Sequence, residues 1–136
     1  MNSYKPPTVL IIFGITGDLS RRKLLPALEK ILIAGATPDT FKIIGLTRQS
    51  MSVEELLKDA KFSKLQDHLE IRSMNMTHAD DYQQLRAYLQ DLSATFGDET
   101  QFLYYLSLPP QVSGPIVELL GANGFADGNS KLLLEK

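Results

Sequence analysis

Six residues, Gly14-Ile15-Thr16-Gly17-Asp18-Leu19, join an apolar, β-branched run to a stretch with helical periodicity. Glycine suits such a turn for two reasons. It adopts positive φ without steric cost, and it lets the backbone approach a phosphate that a side chain would hold away. The helix behind the turn offers unpaired N–H groups and about half a positive charge, which favours a pyrophosphate. The spacing is G-x-x-G and not G-x-G-x-x-G, so the pair reads equally as a phosphate cradle or as a structural tight turn. Asp18 reads as an N-cap, because a carboxylate aimed at a phosphate would repel it.

A second signal is Arg48, which follows another short apolar run, Phe41 to Leu46. In dinucleotide-binding α/β folds an acid at this place bonds the ribose 2′-hydroxyl of NAD, whereas an arginine accommodates the 2′-phosphate of NADP. Thr47-Arg48-Gln49 contains no acid. A charge-assisted guanidinium–phosphate pair is worth about 1.5–3 kcal/mol, roughly a ten- to hundredfold preference for NADP. The other reading of Arg48 is a solvated loop cation. A third signal is the run Arg21-Arg22-Lys23, which opposes the helix dipole unless an anion stands before it. Consecutive helical residues point about 100° apart, so at most two of the three can face one site. The cluster reads alternatively as a wet helix face.

The bulk composition narrows the classes. With 136 residues the chain has the size of one domain and can bury roughly 68% of its unfolded surface. A composition of 43% hydrophobic and 22% charged residues is that of an ordinary globular protein. A net charge of −2, with no long basic run, gives no reason to expect nucleic acid or a polybasic membrane contact. Zero cysteines exclude disulfides, thiolate metal sites and a cysteine nucleophile, and fit a reducing, cytoplasmic compartment. Two histidines, His68 and His78, leave little for zinc, and no metal site is expected. The longest apolar run, Val9 to Phe13, is far below the roughly 18 residues of a spanning helix.

Elements that could position these residues alternate along the chain. Thr8 to Phe13 reads as a strand buried on both faces. Leu24, Leu25, Leu28, Ile31 and Leu32 give a helix from Leu19 to Ala34, ended by Gly35 and kinked or restarted at Pro26. After the Phe41–Leu46 strand, Ser52 and Glu55 form a capping-box pattern before a short helix. Ile71, Met74 and Met76 suggest a third strand, and Tyr82, Leu85, Leu89 and Leu92 a long helix ending at Gly97. Gln101 to Leu108 reads as a strand stopped by Pro109 and Pro110. Pro115 then suits the first turn of a helix, and Lys131 to Lys136 a fifth strand. Regular alternation of strand and helix predicts a doubly wound, mainly parallel α/β sheet of the Rossmann-like class. Ligands of such sheets sit outside the carboxyl ends of the strands.

The pattern Gly14-x-x-Gly17-Asp18-Leu19-x-x-Arg22-Lys23-Leu24-x-Pro26-Ala27 resembles the coenzyme domain of glucose-6-phosphate dehydrogenases. So do Arg48, the Leu106-Ser107-Leu108-Pro109-Pro110 segment and the closing Glu135-Lys136. The resemblance implies that residues 1–136 are an NADP-binding domain whose C-terminal substrate and catalytic domain is absent from this chain. It implies that Gly14, Ile15, Thr16, Gly17, Asp18 and Leu19 wrap the NADP pyrophosphate, with Thr16 and Arg48 holding the 2′-phosphate. Leu108 and Pro109 would line the path to the nicotinamide. Lys23 would lie near the sugar phosphate, and Lys136 would touch both sugar and cofactor. The family oxidises glucose 6-phosphate at C1 with hydride transfer to NADP, the first step of the oxidative pentose phosphate pathway, and a homo-oligomer is expected of the full-length enzyme.

Departures from the family pattern matter as well. The family's general base is a histidine in an Arg-Ile-Asp-His motif of the later domain, and neither His68 nor His78 has that context. Both read as surface residues, no catalytic residue is assigned, and no turnover is expected from this chain alone. Ser113 stands where the family often has an aromatic residue, and the proline after the Glu-Lys pair is missing. Two other readings stay open: a non-catalytic NADP-sensing or scaffold module, and a related NADP-dependent sugar oxidoreductase.

Overall fold

The computed structural model describes residues 5–17, 20–58, 62–125 and 130–134. Strands β1 (Thr8–Phe13), β2 (Phe41–Thr47), β3 (Leu69–Ser73), β4 (Gln101–Leu106) and β5 (Ser130–Leu134) form one sheet in the order β3-β2-β1-β4-β5. Every neighbouring pair is parallel. The chain winds outward from β1 to β3 and then returns to the other side of β1 with β4, so the order reverses between these two central strands. The crevice for a ligand in such a sheet opens at that reversal, beyond the carboxyl ends.

Parallel pairing needs crossover connections, and these cover both faces, so the central strand must be apolar throughout. All six residues of β1 are buried. Val9, Ile11 and Phe13 join Ile44, Leu46, Tyr104 and Tyr82 in one core layer. Leu10 and Ile12 face the other way, into a layer with Leu25, Leu28, Leu32, Ile43 and Leu65. The first layer lies under helices α4 (Ala79–Phe96) and α5 (Pro110–Ala122), and the second under α1 (Leu25–Ile33) and α3 (Ser63–His68). The remaining helix, α2, spans Val53–Leu57.

Most predicted elements fall where the pattern places them. Ser52 caps α2, its Oγ accepting from the Glu55 amide at 3.1 Å while it donates to the Glu55 carboxylate at 3.2 Å. Gly35, at φ 69°, ends α1: its N–H reaches the Leu32 carbonyl, and the Ala36 N–H reaches that of Ile31. That pair is the Schellman arrangement, which needs the left-handed residue. The helix ahead of it does restart at Pro26. A π-helical turn, Ser20–Leu24, gives way to α1, and Pro26 sits in the first turn of α1, where its missing donor has no intrahelical partner to lose.

Several boundaries differ from expectation, among them that of β4, which ends at Leu106 and not at Leu108. The third strand ends at Ser73, and Met74 and Met76 follow it as buried residues beneath α4. The last helix begins at Pro110 and carries Pro115 in its interior. Pro109, at φ −60° and ψ 151°, serves as its N-cap, and Pro110 is pre-set for a first turn. Ser63–His68 is helical although its sequence, SKLQDH, has little apolar periodicity. Its N-cap, Phe62, has no side chain able to accept. Glu29 of α1 does that instead. Its carboxylate, only 6% exposed, accepts from the Leu65 amide at 2.7 Å and lies 3.4 Å from that of Lys64. Glu29→Ala is therefore expected to lower stability by about 1–3 kcal/mol, the cost of orphaning buried amides. Glu29→Gln, which keeps one acceptor, should lose less. Urea unfolding of both variants measures this, and an unchanged midpoint for the alanine variant would refute the capping role.

At the β3 edge Lys42 Nζ pairs with Glu70 at 3.0 Å, and the Tyr88 hydroxyl donates to the same carboxylate at 2.7 Å. The Arg72 guanidinium lies 4.8 Å from the centre of the Tyr88 ring. Burial pulls the Lys42 ammonium down, but the bond and charge of Glu70 more than offset it and hold Lys42 above its ordinary value.

Candidate functional site

β1 ends at Phe13, and the chain must turn at once to begin a helix on the sheet's face. Gly14 makes the turn at φ +85°. Its amide donates to the Leu46 carbonyl of β2 at 3.3 Å, and its carbonyl accepts from the Gly17 amide at 3.0 Å. A Cβ on Gly14 would lie 2.6 Å from Leu108 Cδ2 and 2.8 Å from the Ser107 carbonyl oxygen. The requirement for glycine here is thus internal: the bend is pressed against the exit of β4. The Ser107 amide completes the seam by donating to the Phe13 carbonyl at 3.0 Å.

Gly17 is different. Its φ is not in the left-handed region, and a Cβ there would meet only the Gly14 oxygen at 3.2 Å and the Ser107 oxygen at 3.9 Å. It is half-exposed, as is Thr16. Ile15, between the two glycines, does not face the crevice. Its side chain is fully buried and fills the space left by Gly45 of β2, where a Cβ would stand 2.3 Å from Ile15 Cδ1. Of Ile15, therefore, only the backbone is available to a ligand. Gly45 is a residue that sequence reading missed. Its signal was a lone glycine inside an otherwise apolar strand, which marks a close approach of another part of the chain.

Two features of the bend fit a phosphate-bearing group. The first is the space over Gly17, with no other described atom within 4 Å of a Cβ built there. The second is Ser20, wholly buried at the start of the helical segment, whose hydroxyl has no hydrogen-bond partner among the described residues. Buried hydroxyls are nearly always bonded, so an unspent donor three residues after Gly17 is uncommon.

Of the remaining residues assigned from sequence, Arg48 follows the carboxyl end of β2, and Leu108 and Pro109 that of β4. Arg48 leaves β2 directly after Thr47, is exposed, and has no hydrogen bond or ion pair among the described residues. Leu108 is half-buried against Gly14, and Pro109 is exposed at the start of α5. Arg21, Arg22 and Lys23 are all exposed on the π-helical turn. Asp18, Leu19 and the Glu135-Lys136 pair, including the expected N-cap and the expected sugar-contacting lysine, lie outside the described residues. Ser113 turns its hydroxyl back onto its own helix start, 3.3 Å from the Leu108 and 3.2 Å from the Pro109 carbonyl.

The histidines are elsewhere. His68 is half-buried, not on the surface, with Nδ1 2.8 Å from the Phe41 carbonyl at the opposite, amino end of β2. His78 is exposed at the N-cap of α4. Among the described residues no three metal-ligating side chains converge. No helix among them is long and apolar enough to cross a membrane.

A five-stranded parallel sheet with a glycine bend at its topological switch point defines a Rossmann-like, dinucleotide-binding α/β fold. The family model described as glucose-6-phosphate dehydrogenase, NAD binding domain, matches residues 11–136. The chain belongs to that family, whose cofactor is a nicotinamide dinucleotide. It is 29% identical to the glucose-6-phosphate 1-dehydrogenase of Bacillus subtilis over 144 residues, covering 97% of this chain and 29% of that protein. It is 35% identical to the enzyme of Chlamydia pneumoniae over 130 residues, covering 85% of this chain and 25% of that one. A solved glucose-6-phosphate dehydrogenase in complex with glucose 6-phosphate superposes with a TM-score of 0.83 at 26% identity, over 98% of this chain and 31% of that one. The Mycobacterium avium enzyme gives 0.77 at 28% identity, over 96% of this chain and 30% of that chain. The chain thus spans about three tenths of the length of the curated relatives it matches.

Proposed function

We propose that this chain is the NADP-binding part of an oxidoreductase that oxidises glucose 6-phosphate at C1, with residues 1–136 forming the coenzyme domain. Carrying the reading is one juxtaposition: a glycine bend and an exposed guanidinium at the carboxyl ends of adjacent strands, β1 and β2. When bound, NADP supplies the acceptor for the hydride leaving C1.

The chain's own residues bind and orient. The backbone from Gly14 to Gly17, with Asp18 and Leu19, wraps the pyrophosphate, and Arg48 with Thr16 pairs with the 2′-phosphate. Leu108 and Pro109 provide an apolar wall beside the nicotinamide, Lys23 stands near the sugar phosphate, and Lys136 touches both sugar and cofactor. The reaction also needs a proton acceptor for the C1 hydroxyl. By the family resemblance this proton goes to a histidine of a further, substrate-binding domain; His68, bonded to the Phe41 carbonyl at the far end of the sheet, is not in that role. The chain by itself then binds cofactor without turnover, because general-base catalysis contributes about 10²- to 10⁴-fold and orientation still more. The intact enzyme is proposed to be a cytoplasmic homo-oligomer.

Calorimetric titration of the chain with NADP and with NAD tests the reading. NADP is expected to bind roughly ten- to hundredfold more tightly, the value of one charge-assisted guanidinium–phosphate pair. Equal affinities would remove the 2′-phosphate assignment, and no binding of either would remove the cradle.

A further inference from the structure

Arg48 lies in a turn that is held from inside the sheet. Thr47, the last residue of β2, is only 2% exposed, and its carbonyl accepts from the Met74 amide at 2.8 Å. Its Oγ1 accepts from the Gln49 amide at 3.1 Å. That bond closes a ring around Arg48, in which a side-chain oxygen does what a backbone carbonyl does in an ordinary turn. Threonine is apt for the task. It is at home at a strand end, and its branched Cβ leaves few χ1 states, so the acceptor is fixed.

We propose that Thr47 is a positioning residue that presets Arg48 for the cofactor's 2′-phosphate and so helps to set NADP over NAD selectivity. The inference rests on the reading of Arg48 as the 2′-phosphate ligand. A residue leaving a strand ordinarily keeps its backbone freedom and gives it up on binding. Here the backbone of Arg48 is tied on both sides before any ligand arrives: through the buried Thr47 on one side and the bonded Gln49 amide on the other. The guanidinium itself stays exposed and has no ion pair among the described residues, so none of the order is spent on a competing acceptor there. Preorganisation of this kind acts on affinity by cutting the ordering cost. NAD lacks the 2′-phosphate and has nothing to gain from the preset guanidinium.

Thr47→Val keeps the branching and the burial and deletes only the acceptor. In the full chain it is expected to cut the NADP over NAD preference by about three- to tenfold, the effect of losing one modest hydrogen bond. NAD affinity should stay within about twofold, which also reports that the variant folds. Thr47→Ser, which retains the hydroxyl, should restore most of the preference. In the absence of cofactor, amide hydrogen exchange at Gln49 should be faster in Thr47→Val and not in Thr47→Ser. In an Arg48→Ala background, Thr47→Val should have no further effect on selectivity, because the two act as one unit. An unchanged preference in Thr47→Val, or an equal loss for NADP and NAD, overturns the proposal. If Arg48→Ala alone leaves the preference intact, the 2′-phosphate reading itself is wrong, so the two failures are distinguishable. Should Thr47→Val fail to fold, as read by its urea unfolding curve, Thr47→Ala makes the same deletion without the added methyl and is read by the same ratio.

Discussion

Gly14→Ala is expected to unfold the chain or bring it close to unfolding, whereas Gly17→Val should leave it folded and unable to hold a dinucleotide. The two glycines stand three residues apart in one bend, yet they meet different constraints. At φ +85° a side chain on Gly14 carries backbone strain of about 1–3 kcal/mol. Its Cβ would also stand 2.8 Å from the Ser107 carbonyl oxygen, a backbone atom pinned because the Ser107 amide bonds to Phe13. Forcing atoms into a packed site costs a further ~1–3 kcal/mol. Together, at about 2–6 kcal/mol, these reach the lower end of the whole stability of a small domain, about 5–15 kcal/mol. Gly17 carries no left-handed strain, and its nearest neighbour to a new Cβ, the Gly14 oxygen at 3.2 Å, yields to a small shift. A valine there projects into the space over the bend, where a pyrophosphate must approach the backbone. Urea midpoints should therefore separate the variants, Gly14→Ala falling far more than Gly17→Val. NADP titration should separate them the other way, with Gly17→Val weakening binding by about tenfold or more. A valine variant that bound NADP as tightly as the parent would show that the cradle lies elsewhere.

The contrast also shows how far sequence could reach. That two glycines follow a buried strand is visible in the residues, but their different reasons are not. Gly14 is required by Leu108 and Ser107, more than ninety positions downstream, which only the β1–β4 pairing brings alongside. Periodic apolar patterns placed β1, β2, β4 and α4, because each of these elements buries one regular face or is buried whole. Local capping chemistry placed the start of α2 and the end of α1 for the same reason: donor and acceptor sit within a few residues of each other.

What escaped is what depends on distant partners. Helix α3 has a weak pattern and a poor cap of its own, and exists where it does because Glu29, 36 residues before Leu65, accepts its first amides. Glu29 itself looks like a solvent-facing residue of an amphipathic helix until α3 is seen to cover it. Met74 and Met76, read with Ile71 as one strand, lie past the true end of β3, because buried loop residues beneath α4 are as apolar as strand residues. Ile15 was grouped with the cradle by adjacency, and the cavity that takes its side chain is visible only once Gly45 is laid beside it. The start of α5 was misplaced by treating two prolines as terminators when the second can open a helix.

Arg48→Ala should remove the cofactor preference while sparing the fold and the affinity for NAD. Arg48 is exposed and makes no bond or ion pair among the described residues, so its deletion orphans nothing and unfolding curves should superpose. Its worth then lies wholly in what it does to a ligand. A bidentate guanidinium–phosphate pair contributes about 1.5–3 kcal/mol, so NADP affinity should fall roughly ten- to hundredfold, toward that of NAD. Charge alone does not account for this, and Arg48→Lys distinguishes the two contributions. An ammonium keeps the attraction but loses the planar fork, so the lysine variant should fall between parent and alanine. Added salt should shrink the parent's preference and leave that of the alanine variant unmoved, because only the former contains an exposed pair to be screened. If the alanine variant kept its preference at low salt, the selecting charge would have to come from elsewhere at this end of the sheet, and the exposed cations of the Ser20–Leu24 turn would be the next to replace.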